Sequence, residues 1–206
     1  MFSPVFIFLF FCMALTAISE FGPQQWVNVV MSASGASGML ILALTTGIMA
    51  VGRFFAGPVV KSLGQTGVLL GGAIFATLGI YMFSTVTGSM SYFAAVIFAI
   101  GVCYFWPVMV GAVAQRVPLS GALGMSIIGG VGMFSTAIFQ PIIGRWIDES
   151  RADQTALGLA GDALELAAGQ ATLLKMVMFP AILIVLFTIF FIWQKNSKVA
   201  AGAAAH

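Results

Sequence analysis

Charged side chains are scarce in this sequence. Only 7% of the residues are Asp, Glu, Lys or Arg, whereas 61% are hydrophobic, and in ordinary soluble domains about a quarter of the residues are charged. The mean hydropathy is +1.10, which excludes a soluble globular class and indicates an integral membrane protein. The formal net charge of +2 is small and its eight cations are scattered between apolar runs. They do not form the basic patch that nucleic-acid binding requires.

Histidine and cysteine are nearly absent as well. The single histidine, His206, ends an Ala- and Gly-rich tail, and Cys12 and Cys103 each lie in an apolar run without a CxxC motif. Buried free thiols are the expected state of such cysteines. The sequence therefore predicts no metal site and no cofactor, and we expect no enzyme activity.

Long apolar runs are what the sequence does contain. A membrane-spanning helix needs about 20 mostly apolar residues, and six stretches meet this requirement. They cover residues 4–30, with a break expected near Pro23, and residues 38–60, 67–83, 92–113, 121–143 and 173–193. We predict an all-α polytopic membrane protein with one six-helix transmembrane bundle over residues 1–194 and a cytoplasmic tail over residues 195–206.

One connection is long and acidic. Residues 148–171 contain five carboxylates and are rich in Ala and Leu, which predicts an exposed loop with an amphipathic helix over residues 155–168. Six spans place both termini on one side of the membrane. The cations on that side are Lys61, Arg116, Lys195 and Lys198, with Arg53 close to it, and those opposite are Arg145, Arg151 and Lys175.

The distribution of these cations predicts the orientation. Cations near the spans favour the cytoplasmic side, and those on the side of the loop are diluted by its carboxylates. Both termini are therefore predicted to be cytoplasmic and the acidic loop extracytoplasmic. A bacterial inner membrane is the expected location.

An aromatic and proline cluster interrupts the fourth span. Tyr104, Phe105 and Trp106 precede Pro107, which removes a backbone donor in mid-helix. In lipid, such a break persists only where neighbouring helices or a cavity satisfy the freed carbonyl. The cluster predicts a bundle that encloses a polar path. At most one of Tyr104 and Trp106 lines this path, because residues two apart do not share a helix face.

Glycine and proline recur at other positions where helices would meet or turn. Residues 57–65 between spans two and three carry Gly57 and Gly64 around Lys61 and Ser62. The fifth span contains Gly130, Gly132, Pro141 and Gly144. Small residues four apart also predict close helix contacts; these are Gly67 with Gly71, and Ala122 with Ser126 and Gly130.

Together these patterns resemble the C-terminal six-helix half of a major facilitator superfamily transporter. Residues 57–65 are similar to the signature loop of the family, with Lys61 and Ser62 where its acid and base stand. The fifth span, rich in glycine and proline, resembles the eleventh helix of such transporters. The Phe105-Trp106-Pro107 cluster, followed by Arg116-Val-Pro, resembles their tenth helix. The resemblance implies gating or helix packing for Gly57, Gly64, Gly130, Gly132, Pro141 and Gly144. Arg53 is a further candidate for gating, from its position in the second span.

The resemblance implies a function. It implies a secondary active transporter that moves a small polar solute, such as a sugar or an organic anion, by alternating access. The solute is then held near the membrane midplane between the two halves of the transporter. The expected partners are membrane lipid, the solute, and a proton or another coupling ion. Because only one half is present, the chain is expected to be a fragment, to pair with a missing N-terminal half, or to form a homodimer.

Glu20 is the leading candidate for substrate binding or proton coupling. It is the only carboxylate in a predicted span and lies about 24 Å along the first helix. An ionisable group at that depth indicates a transport site or a proton relay. The alternative is an interfacial glutamate with access to external water.

Amide side chains follow Glu20 on the same helix. Gln24, Gln25 and Asn28 lie beside Trp26, and amides next to an indole suit the hydroxyls and the apolar face of a sugar. Trp26 is alternatively an anchor in an interfacial aromatic belt. Gln140, just before a proline, is a candidate for lining the path or for satisfying a loosened helix backbone.

Arg53 lies about two helical turns before the predicted cytoplasmic end of its span. There its side chain extends toward lipid phosphates, contacts an anionic substrate or clamps an inner gate.

Two other classes of membrane protein are alternatives to a transporter. Gly35-Ala36-Ser37-Gly38 matches the GxSG pattern of rhomboid-type intramembrane serine proteases, but spans two to six lack the histidine base that such a serine needs. A non-transporting membrane subunit or scaffold is the other alternative, against which the helix breaks count.

Overall fold

The computed structural model describes the backbone of residues 3–203 and the side chains of residues 3–196. Within this range every regular element is helical, which confirms the predicted all-α class. The α-helices are α1 Pro4–Ala33, α2 Gly38–Phe54, α3 Ala56–Phe83, α4 Met90–Val102, α5 Phe105–Arg116, α6 Gly121–Ala156, α7 Gly161–Met176 and α8 Met178–Ala203; a 3-10 helix, Pro118–Ser120, precedes α6. Five segments of the described chain are long and apolar enough to cross a membrane, and α2 is a shorter apolar helix.

The turn between spans two and three is shorter than predicted. The backbone stays close to helical at Phe55 (φ −92°, ψ 11°), and residues 56–63 are helical. Gly64 then interrupts α3 with φ 72° and ψ 158°, a conformation that glycine adopts without the strain that a Cβ brings. The expected loop over residues 57–65 is therefore reduced to a turn at Gly64.

The fourth predicted span is divided. Residues 92–113 were expected to form one helix, but α4 ends at Val102 and α5 begins at Phe105. Pro107 is the physical reason, because it removes one backbone donor and its ring disfavours a continuous helix through the preceding turn.

The prediction of a loop over residues 148–171 is wrong. Helix α6 has 36 residues, about 54 Å, so it extends well beyond a hydrocarbon core of about 30 Å. A short turn with Gly158 (φ 87°) and Gly161 (φ 60°) leads into α7. The helix expected over residues 155–168 therefore crosses this turn and does not exist as one element.

An ion-pair cluster joins the two helices of this hairpin. Arg151 Nη2 lies 2.7 Å from Glu165 Oε2, and Arg151 Nη1 lies 3.1 Å from Asp148 Oδ1. Residues rich in Ala, Leu, Glu and Arg favour helix on both sides of the turn. The acidic segment therefore folds into two packed helices and does not remain a loop.

The C-terminal prediction also changes. Residue Val177 separates α7 from α8, and α8 continues to Ala203. The predicted tail thus begins inside a helix as far as the described residues extend, and His206 lies outside them.

Close contact between α3 and α4 depends on glycine. A Cβ on Gly79 would lie 2.5 Å from the Cα of Phe98, and one on Gly72 would lie 2.7 Å from the carbonyl oxygen of Gly101. Helix α1 is central and packs against α2, α5, α6, α7 and α8. Helices α2 and α6 lie at the edge of the bundle, where many of their side chains are exposed.

Candidate functional site

An ion pair joins α1 to α2 in the interior of the bundle. Arg53 Nη2 lies 3.0 Å from Glu20 Oε1, and the side chain of Glu20 is 2% exposed whereas that of Arg53 is 40% exposed. Arg53 also donates its Nε–H to the carbonyl oxygen of Cys103 at 3.0 Å. One guanidinium therefore connects α1, α2 and the break between α4 and α5.

A cleft of about 360 Å³ opens beside this ion pair. Its walls come from four helices and are mainly apolar around a few polar groups. The lining residues are Glu20, Phe21, Gln24, Thr46, Met49, Ala50, Arg53, Trp106 and Met133. Its volume lies in the range of about 300–1,000 Å³ that is typical of small-molecule sites.

Helical periodicity explains how these residues come together. Glu20 and Gln24 are four apart on α1 and share one face. Thr46, Ala50 and Arg53 are spaced by four and three along α2 and share another face. The two faces meet across the cleft, and Trp106 near the start of α5 closes it from a third side.

The structure brings together four of the predicted residues in this cleft: Glu20, Gln24, Arg53 and Trp106. The amide of Gln24 contacts the sulfur of Met49 at 3.5 Å. Tyr104 turns away and donates its hydroxyl hydrogen to the carbonyl oxygen of Gly52 at 2.9 Å. Of the two aromatic residues that are two positions apart, Trp106 lines the cleft and Tyr104 holds α2 against the break.

Trp26 and Gln140 form a separate contact. Trp26 Nε1 donates to Gln140 Oε1 at 3.3 Å, and Gln140 Nε2 donates to the carbonyl oxygen of Phe21 at 3.1 Å. These bonds fasten α1 to α6 immediately before Pro141. Both side chains are thereby placed in a helix contact and not among the lining residues.

Gln25 and Asn28 lie on exposed parts of α1. The side-chain oxygen of Asn28 lies so close to Gly38 that a Cβ there would overlap it. Neither residue lines the cleft next to the ion pair. Gln24 and Asn28, four residues apart, share a face of α1 and line a small second pocket with Thr45 of α2. Gln25 and Trp26 lie on other faces, so the predicted group of amides beside an indole is only partly kept.

The predicted gating and packing positions differ in their surroundings. A Cβ on Gly132 would meet the Trp106 ring at 2.9 Å and the Met13 methyl at 3.0 Å, so this glycine lets α6 approach α5. Around Gly57, Gly64 and Gly130 no described atom lies within 4 Å of a Cβ position, and around Gly144 the nearest is Trp26 at 3.9 Å. Pro141 is exposed.

Small residues expected at helix contacts are also exposed or loosely surrounded. Gly71 has no described atom within 4 Å of its Cβ position, and Gly67 has only Leu63, at 3.7 Å. Ala122 and Ser126 are exposed. The close contacts of α3 instead use Gly72 and Gly79, on another face of the same helix.

The carbonyl of Cys103 and the face of α2 around Thr46 belong to the site but are not among the residues predicted from the sequence. The position of Pro107, four residues after Cys103, identifies that carbonyl as the one without a helical donor. The spacing of Thr46 and Ala50 to Arg53 predicts a common face. Both signals were present in the sequence.

Ser37, in the protease-like motif, has a structural position. Its hydroxyl oxygen accepts from the backbone N–H of Leu40 at 3.4 Å and so caps the start of α2. Its own backbone N–H donates to Tyr92 Oη at 3.0 Å.

Comparison with protein-family models, with curated proteins and with solved structures found no match for this chain. The helices themselves indicate the class: several are long and apolar enough to cross a membrane, as expected of an integral membrane protein.

Proposed function

We propose that this chain is one half of a secondary active transporter of the major facilitator type, with six membrane spans and both termini in the cytoplasm. It moves a small polar solute through the cleft by alternating access, and Glu20 couples the movement to a proton or another ion. The observation that carries this proposal is the Glu20–Arg53 ion pair beside an open cleft.

The depth of the ion pair supports a functional role. Glu20 lies 16 residues after Pro4 in a helix of 30 residues, so it is close to the middle of α1. Ionisable groups at such depth are costly in a membrane and belong by default to substrate or ion pathways. The exposed part of Arg53 is also accessible to a solute, because that residue lines the cleft.

A helix break at the site supports the same function, although α1 itself continues through Pro23, where a break was expected. Arg53 binds a carbonyl oxygen at the break between α4 and α5, and Pro23 lies three residues after Glu20 in α1. Transporter sites are commonly built from discontinuous helices at the midplane, where unwound backbone lines a cavity.

The edge helices support the assignment of a half. Met133 and Phe134 on α6 are 58% and 73% exposed, and the cleft wall that includes Met133 opens beside them. A second bundle packed against α2 and α6 would cover the partly exposed charge of Arg53. This partner is a separate N-terminal half or a second copy of the chain.

The test combines assembly with flux. The purified chain is examined by light scattering corrected for bound detergent, and then reconstituted into liposomes that contain a pH-sensitive dye. We expect an assembly larger than a monomer, and proton movement driven by a gradient of a sugar or a small carboxylate. Glu20→Gln abolishes this movement, whereas Glu149→Gln, an exposed glutamate of the hairpin, retains it.

A stable assembly that moves none of these solutes would contradict the proposal. Equal flux with and without the Glu20 carboxylate would contradict the role of Glu20 in coupling.

A further inference from the structure

We propose that the cleft binds singly charged organic carboxylates on Arg53, and that Glu20 takes up one proton for each anion bound. This inference rests on the proposed function and names the substrate class and the coupling stoichiometry of the same site.

Arg53 has donors left for an anion. A guanidinium carries five N–H groups in a planar fork, and two bonds are accounted for, from Nε to Cys103 O and from Nη2 to Glu20 Oε1. The side chain is 40% exposed and lines the cleft. A carboxylate entering the cleft therefore meets the geometry that arginine binds best, with two parallel N–H···O bonds.

Glu20 is positioned to exchange its charge. Its side chain is 2% exposed, and no described residue donates a hydrogen bond to its buried Oε2. A buried ionised carboxylate without full hydrogen bonding is costly, whereas the neutral acid is less so. Oε2 is therefore a site where a proton from water can form an O–H bond.

Charge balance fixes the stoichiometry. In the empty site the charges of Arg53 and Glu20 cancel. A monocarboxylate bound without a proton would leave a net negative charge deep in the membrane, which is costly. When Glu20 takes a proton, its ion pair with Arg53 breaks and the carboxylate of the ligand pairs with Arg53 instead, so the site is neutral again. When the anion is released, Glu20 returns its proton to water and pairs with Arg53 once more.

This balance also excludes other ligands. A dicarboxylate would leave one uncompensated negative charge even with Glu20 protonated. A neutral sugar would leave the Glu20–Arg53 ion pair intact and would take up no proton.

The other groups around Glu20 do not compete for the proton. Among the described residues, Arg53 on α2 and the Cys103 thiol at the α4–α5 break are the groups that interact electrostatically with this site. Helix α6 contributes Met133 to the cleft, and α7 places the methyl of Met176 against Gly22. Glu20 is thus the acceptor that the geometry provides.

The walls indicate an organic body on the anion. Phe21, Met49, Ala50, Trp106 and Met133 supply apolar surface. The cleft, at about 360 Å³, is large compared with the volume of about 30 Å³ that a water molecule takes up in the liquid. Gln24 and Thr46 add polar contacts for a substituent such as a hydroxyl.

The experiment measures binding and proton uptake on the purified full chain in detergent. Lactate, benzoate and gluconate, three monocarboxylates of different size, are each titrated calorimetrically beside lactamide, benzamide and gluconamide. Each titration is repeated in two buffers of different ionisation enthalpy, which yields the number of protons taken up. We expect at least one carboxylate to bind, its amide to bind about tenfold or more weakly, and one proton to be taken up per anion.

Variants separate the two roles. In the wild type the affinity falls about tenfold per pH unit where Glu20 is ionised. Glu20→Gln keeps anion binding but takes up no proton and loses the pH dependence. Arg53→Gln loses anion binding. Arg53→Lys keeps the charge and serves if Arg53→Gln does not fold; it weakens anion binding but retains proton uptake. Arg145→Gln, on an exposed part of α6, is the matched control and changes neither.

The inference is overturned if none of the three carboxylates binds, if an amide binds as well as its acid, or if binding takes up no proton. These outcomes are separate from those of the flux experiment. Proton-linked binding without flux contradicts transport but not the site, whereas flux of a neutral solute without proton-linked anion binding contradicts the site but not transport.

Discussion

Arg53 donates its Nε–H to the carbonyl oxygen of Cys103 at 3.0 Å, and this oxygen lies four residues before Pro107, where a helix would require the N–H that proline lacks. A side chain from α2 thus supplies the hydrogen bond that the proline removes from the α4–α5 helix. The same guanidinium binds Glu20 on α1. The helix break, the buried acid and the cleft are therefore parts of one arrangement.

The fork of Arg53 is needed to make both bonds. Arg53→Lys keeps the charge but replaces the planar donors with one ammonium group, so a bond to Cys103 O or to Glu20 is lost. We expect the free energy of unfolding in mixed micelles to fall by about 1–3 kcal/mol. Arg145→Lys, measured in parallel, changes it by less than about 0.5 kcal/mol. Equal stability of the two variants would show that the carbonyl of Cys103 does not depend on Arg53.

Removal of Arg53 and removal of the Glu20 carboxylate are expected to lower the free energy of unfolding by different amounts. Arg53→Gln leaves the 2% exposed Glu20 without its partner. Because Arg53 is itself 40% exposed and Glu20 can take up a proton, we expect a loss of about 1–3 kcal/mol, less than that of a fully buried pair. Glu20→Gln costs less, because Arg53 is partly exposed in the cleft and the amide oxygen still accepts its hydrogen bond.

A double-mutant cycle measures the coupling of the pair. We expect the double variant Glu20→Gln, Arg53→Gln to be more stable than Arg53→Gln alone, because the uncompensated charge is absent. Unfolding of all four proteins is followed by circular dichroism. Additive losses would mean that the two side chains act independently.

Two glycines on α3 predict opposite outcomes for the same substitution. Gly79→Ala places a Cβ 2.5 Å from the backbone of Phe98, and such overpacking costs about 1–3 kcal/mol. Gly71→Ala meets no described atom within 4 Å and stabilises the helix by about 0.5–1 kcal/mol. Thermal unfolding in detergent distinguishes the two, and a loss at Gly71 would indicate a helix contact with another chain.

The orientation is tested by labelling. Cys12 and Cys103 are buried, so a cysteine introduced by Asp153→Cys at the end of α6 is the main accessible thiol. We expect a membrane-impermeant maleimide to label it from outside intact cells, because cations favour the opposite side. Lys195→Cys serves as the control and is labelled only after the cells are opened. Labelling of position 153 from the cytoplasm alone would reverse the predicted topology.

The helical class and the apolar segments could be predicted because they depend on local sequence. About 20 apolar residues in a row cross a membrane whichever helices surround them. Proline alone does not fix a break, because α4 and α5 separate before Pro107 whereas α1 and α6 continue through Pro23 and Pro141. The long hairpin of α6 and α7 was missed although its composition favours helix, because acidic residues between two apolar runs were interpreted as a solvated loop. Its ion pair between Arg151 on α6 and Glu165 on α7 forms only when the two helices pack, whereas Arg151 and Asp148 pair within α6.

The membrane class, the main helices and the candidacy of Glu20 could be predicted without a structure, because hydropathy and the cost of a charge in lipid are properties of single segments. Helix packing places Arg53 beside Glu20, puts Trp106 and not Tyr104 in the wall of the cleft, and brings Gly79 and not Gly71 into a close helix contact. The physical reason is that such contacts depend on the rotation and depth of one helix relative to another. These quantities follow from the packing of all the helices together, and no local pattern fixes them.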